Sequence, residues 1–150
     1  MTWTPPTPEE QVLFLRNLQR LLAEGQFVAS YEFALLLALA DLCVLKGDDA
    51  GGPLDLTIHD IAEKFVELYW QQCRPFQQGD QTTGIVLAQT TGKQVAVISE
   101  IIQAQRQCGG SLFRLQQTAP DLWRSLVGDI RQIVSVMPLW KLQTVGSERL

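Results

Sequence analysis

Histidine and paired cysteines are what this chain has least of. It holds one histidine, His59, and three cysteines, Cys43, Cys73 and Cys108. An odd, widely spaced set with no Cys-x-x-Cys argues against a disulfide framework or a zinc site and fits a reducing cytoplasm. Any Cys-His nucleophile would have to use His59, and nothing near it in sequence supports such a pair. The first residues, Met-Thr-Trp-Thr-Pro-Pro-Thr-Pro-Glu-Glu, have neither the basic nor the apolar part of a secretion signal. No apolar run approaches the ~20 residues that cross a bilayer. No internal repeat or low-complexity tract is present.

At 150 residues and 46% hydrophobic content the chain reads as one domain, 1–150, able to bury a core. The net charge of −4 is uneven. Residues 1–75 carry eleven acids and five Lys/Arg, whereas 76–150 carry five acids and seven Lys/Arg. Contact with an acidic polymer would therefore fall in the second half, and a surplus of two is small beside dedicated nucleic-acid binders. Twelve of the seventeen glutamines lie between 71 and 117. On helices they read as neutral surface residues.

Local signals divide the chain into helices. Thr7-Pro8-Glu9-Glu10 is a capping box, followed by Val12, Leu15, Leu18 and Leu22 at helical spacing, up to Gly25. From Phe33 to Leu45 the only polar residue is Asp41. A helix so apolar calls for neighbours on every side, so 31–46 is expected at the centre of the fold, with Cys43 as a small core residue. Thr57 with Asp60 starts a third helix limited by Pro75. In it Ile58, Ile61, Phe65, Leu68 and Tyr69 oppose Glu63, Lys64 and Glu67. Thr91-Gly-Lys-Gln opens a fourth, carrying Val95, Ile98, Ile101 and Ile102 up to Gly109-Gly110. Ser111 caps a short fifth, and Pro120-Asp121 opens a sixth that Met137-Pro138 breaks, with Leu122, Leu126, Ile130, Ile133 and Val134 inward. The pattern predicts an all-α fold. It is expected to be an orthogonal bundle of five to six helices around 31–46, with short extended pieces near 85–88 and 139–145.

Candidate sites are few. Gly92-Lys93 suggests a phosphate loop, but Leu87 stands where its first glycine belongs and Gln94 replaces the magnesium-binding hydroxyl, so helix capping is the better reading. His59 and Glu63 are one turn apart, beside Asp60 and Glu67, but a metal site needs three or four converging ligands. Asp41 is the buried-acid candidate. A carboxylate in an apolar helix needs a partner, and Arg16, Arg20 and Arg74 are the candidates. Arg124 and Arg131, seven apart, share a helix face that Arg106, Arg114 and Lys141 could extend into a basic strip for DNA phosphates. Thr57-Ile-His-Asp-Ile-Ala-Glu-Lys-Phe has the look of a first helix-turn-helix helix, but the helix runs on where the turn should come.

Ser30-Tyr-Glu-Phe-Ala-Leu-Leu-Leu-Ala-Leu-Ala-Asp-Leu, Leu56-Thr-Ile-His-Asp-Ile-Ala-Glu-Lys-Phe-Val-Glu-Leu-Tyr-Trp and Arg74-Pro-Phe belong together in their wording. With Thr91-Gly-Lys-Gln and Met137-Pro-Leu-Trp-Lys-Leu, they resemble the N-terminal region of a bacterial HNH endonuclease family of the restriction and defence type. The resemblance implies a metal-dependent nuclease whose Cys-x-x-Cys and histidine-rich catalytic segment lies further along such chains. Neither motif is present here, so the resemblance carries no catalytic residue over. It implies a non-catalytic helical accessory domain, without a cofactor of its own unless an HNH module with its divalent metal follows. Such a domain would position DNA, pair with a second copy or hold the nuclease module, and would not enter a membrane. The alternative is a stand-alone helical interaction or regulatory protein with no nucleic-acid role.

Overall fold

Short polar side chains set the helix starts. In the computed structural model, which describes residues 4–24, 30–48, 52–74, 93–136, 144–145 and 148–149, Glu10 N–H donates to Thr7 Oγ1 at 3.3 Å while Thr7 N–H donates back to Glu10 Oε2 at 2.8 Å. This opens α1 (Pro8–Glu24). The Thr57–Asp60 pair repeats the box at the start of α3 (Ile58–Gln72). Ser111 accepts the Arg114 N–H at 3.2 Å to start α5 (Leu112–Thr118). Each such cap is worth ~0.5–2 kcal/mol. The remaining helices are α2 (Ser30–Lys46), α4 (Lys93–Cys108) and α6 (Pro120–Val136). The all-α expectation holds.

One small exception follows α6. Thr144–Val145 (β1) pairs antiparallel with Glu148–Arg149 (β2), Thr144 opposite Arg149, and β1 lies against α1. It coincides with the end of the extended piece expected at 139–145. Residues 137–143, 85–88 and the Thr91 capping box lie outside the described residues.

The centre of the bundle is α3. Ile61, Ala62, Phe65, Val66, Tyr69 and Trp70 are all buried, a stripe in adjacent pairs that covers about half the helix circumference. A stripe that wide packs against more than one neighbour, and α3 contacts α2, α4 and α6. The expectation that 31–46 is central is corrected here. The α2 helix buries Tyr31, Leu35, Ala38 and Leu42 on one side and leaves Phe33, Leu37, Val44 and Leu45 exposed. Burial requires neighbours, and α3 covers only the first side. Cys43 is likewise exposed, while Cys73 and Cys108 are the cysteines in the core. The α1 stripe also differs from the predicted one. Among the described side chains of α1 Leu21 is the buried one, and Val12, Leu15 and Leu22 remain exposed.

Charge ties the ends of α2 and α3. Lys46 Nζ lies 2.6 Å from Asp60 Oδ1. That ammonium, then the Thr57 N–H and hydroxyl, lower the Asp60 carboxyl from its usual range to about 2. A depressed carboxylate stabilises the fold above its unfolded value near 4, and that contribution disappears as pH falls toward 2. Thermal melts between pH 5 and pH 2.5 are expected to show this loss. Asp60→Asn should flatten that part of the profile, with a modest effect because the pair is near the surface.

Candidate functional site

A turn of two glycines organises one end of the molecule. Gly109 and Gly110 both have positive φ, 67° and 78°, which side chains with a Cβ rarely adopt. The Gly110 N–H donates to the Gln105 carbonyl at 2.9 Å, the long bond of a Schellman stop to α4. The Gly110 carbonyl in turn accepts from Trp70 Nε1 at 3.1 Å and from Arg74 Nη2 at 3.2 Å. Gln105 Nε2 completes the knot by donating to the Trp70 carbonyl at 2.6 Å. Gln105 is buried, unlike the surface glutamine expected of it, because the end of α3 leaves a carbonyl facing α4 that needs a donor.

The predicted basic strip divides into two groups. Arg124 and Arg131 do share an exposed flank of α6, but Arg124 Nη2 is held by Asp121 at 2.5 Å. Arg114 stands at the diglycine turn, its Nη1 3.4 Å from where a Gly109 Cβ would lie, and Arg106 is exposed on the last turn of α4. Arg74, one of three arginines that the sequence offered as a partner for Asp41, joins this second group through Gly110. Lys141 lies outside the described residues.

The predicted acid site is also rearranged. Asp41 is half-buried and makes no ion pair among the described residues. The buried acid of α2 is Glu32, 4% exposed. Helical phase does not distinguish the two acids, since each lies about 90° from the centre of the Tyr31–Leu35–Ala38–Leu42 stripe, on opposite sides. His59 Nε2 and Glu63 Oε1 are 3.5 Å apart and exposed. Among the described residues no three His, Cys, Asp or Glu side chains converge as metal ligands. Burial pushes the Cys73 thiol up to about 11, so it stays protonated and inert at neutral pH.

The outer side of α2 is apolar and exposed, although sequence reasoning assigned it to the core. On the outer side of α2, Leu37, Ala40 and Val44 succeed one another at helical spacing, with Val44 84% exposed and Leu37 50%. The exposed part of Phe33 continues this ridge toward the helix start. A groove of about 460 Å³ runs along one side, between α1 and α2, walled by Phe14, Leu18, Leu36 and Cys43 among others. A smaller groove of about 180 Å³ follows the other side, where Leu68 and Gln72 of α3 face Phe33 and Leu37.

No family model matches the chain, and no curated protein or solved structure matches it. The functional reading therefore stands on these surfaces and on the wording of the sequence. No helix among the described residues is long and apolar enough to cross a membrane.

Proposed function

We propose that the chain is a non-catalytic helical accessory module of the kind that precedes HNH endonucleases, working in the cytoplasm by protein–protein contact. The observation that carries this is the solvent-facing ridge Leu37–Ala40–Val44 with its two flanking grooves. Exposed apolar patches of monomeric proteins seldom exceed ~300–600 Å², and larger ones mark contact sites. The resemblance of residues 30–76 to nuclease N-terminal regions supplies the context.

Two measurements on the 150-residue chain test the reading. Incubation with supercoiled plasmid and magnesium, manganese or zinc is expected to give no cleavage. Metal-dependent cleavage that disappears in His59→Ala would overturn the non-catalytic assignment. Val44→Lys, in dilute solution, is expected to leave the melting temperature within about 2 °C of the parent, because exposed positions change stability by only ~0.5 kcal/mol. A large loss would mean that the ridge is covered from within the chain.

DNA positioning is the second reading, and its specific support is the gathering of Arg74, Arg106 and Arg114 about the α4–α5 turn. Fluorescence anisotropy with a labelled duplex should then show salt-dependent binding that weakens in Arg106→Ala and Arg114→Ala. Arg124→Ala should change less, since Asp121 already occupies that guanidinium. Binding indifferent to all three substitutions would remove the strip from the account.

A further inference from the structure

The occupant of the α2 ridge can be named from its shape and extent. We infer that it is the same ridge of a second copy, with the two α2 helices packed antiparallel about a twofold axis between positions 38 and 39. This rests on the protein-contact reading and specifies its partner.

The first argument is area. The α1 and α2 helices together expose nine large apolar side chains, from Val12 to Leu45, by about half or more each. Of these, Phe14, Phe33, Leu37 and Val44 border the groove and the ridge and give roughly 450 Å² of apolar surface, about the apolar share of the ~800 Å² that each partner gives to a standard interface. The groove between the helices makes the α2 ridge and the Phe14 edge of α1 continuous.

The second argument is self-complementarity. A twofold interface presents the same patch on both sides, so the patch must fit itself. With the axis between 38 and 39, Leu37 of one copy meets Ala40 of the other, and Val44 meets Phe33. The large Leu37 then opposes the small Ala40 on either side of the axis, two apolar side chains meet at each end, and each ridge has a groove beside it to enter. The ridge carries no ionised side chain, so desolvating it in the pair costs little. Nothing in it provides the charge pattern that would select a polar or strongly charged partner.

Sedimentation velocity over a dilution series of the full chain tests the pairing. A monomer–dimer equilibrium is expected, and Leu37→Glu is expected to weaken it about a hundredfold or more, since a twofold places the charge in the interface twice. Far-UV circular dichroism should be unchanged, because Leu37 lies on the exposed side. Orientation is read by crosslinking in a Cys43→Ser background with a short bismaleimide. Phe33→Cys mixed with Val44→Cys should couple, whereas neither should couple to itself, being ~16 Å apart along the axes in this register.

Self-coupling of each variant would mean parallel helices and overturn the proposal. So would a dimer insensitive to Leu37→Glu, whose interface must lie elsewhere. A chain that stays monomeric throughout, with Val44→Lys fully stable, would overturn the second copy and leave the protein-contact reading standing. A monomer destabilised by Val44→Lys would overturn both. A monomer that floats with anionic phospholipid vesicles would overturn the pairing in favour of a lipid surface.

Discussion

Replacing Trp70 by alanine is expected to cost about 3–5 kcal/mol of folding stability, the usual range for removing a large aromatic from a core. Total stabilities run ~5–15 kcal/mol, so the variant should be partly unfolded near physiological temperature. Trp70 is 1% exposed on α3, the helix that touches α2, α4 and α6. Its ring nitrogen also donates to the Gly110 carbonyl, and its own carbonyl accepts from buried Gln105. Truncation therefore opens a cavity and loosens the turn between α4 and α5 together. Trp70→Phe separates the two effects. It retains most of the volume and loses the donor, so a cost of ~1–3 kcal/mol is expected. Arg74 still donates to the same carbonyl, which should hold the figure toward the lower end. Urea denaturation measures both variants. A loss below ~1 kcal/mol for Trp70→Ala would show that α3 does not hold the bundle together.

Phe65→Ala should be comparably severe, at ~3–5 kcal/mol. Phe65 lies at the meeting of α2 and α3, its ring centroid 6.2 Å from Tyr31 and 6.0 Å from Tyr69. Tyr31 and Tyr69 complete the triangle edge to face, at 5.9 Å. Groups that share contacts couple, so Phe65→Ala and Tyr31→Ala combined should cost less than the sum of the two, by ~0.5–1.5 kcal/mol. The cluster has a pH signature as well. Burial first, then Tyr69, push the Tyr31 hydroxyl well above its ordinary value, and a hydrogen bond with the Val97 backbone offsets part of this. A group with a raised folded pKa stabilises fully below its unfolded value, near 10 for tyrosine, and loses that contribution as pH rises beyond it. The Tyr31 contribution should therefore be constant up to about pH 10 and fall above it, after the decline that the raised Cys73 thiol begins near pH 9. Tyr31→Phe should reduce that alkaline fall, and an unchanged slope would show that the hydroxyl titrates as freely as in an unfolded chain.

The parts of the fold readable in the sequence share one property. Thr7 with Glu10, Thr57 with Asp60, and Ser111 before Arg114 each satisfy backbone groups within four residues. Gly109-Gly110 and Pro120 act over equally short distances. Short-range chemistry of this kind needs no knowledge of the rest of the molecule, so helix positions and class were legible. Asp41 and Glu32 show where legibility stops. Both are acids in one apolar helix, at opposite edges of its buried stripe, and only the tertiary packing decides which one is buried. Gln105 looks like its neighbours until the end of α3 brings the Trp70 carbonyl within 2.6 Å.

By itself, then, the sequence determined an all-α chain of five to six helices, the caps of α1, α3 and α5, and the absence of a metal-ligating cysteine–histidine pattern, because caps, stops and ligand spacings are local. Only the tertiary structure decided which helix is central. The width of an apolar stripe limits how many neighbours a helix can have, but their number is set by what else folds against it. The α3 helix gained neighbours for both edges of its stripe, while the more apolar α2 gained them on one side. The outer side of α2 was left to solvent, and the proposed work of the protein is on that side.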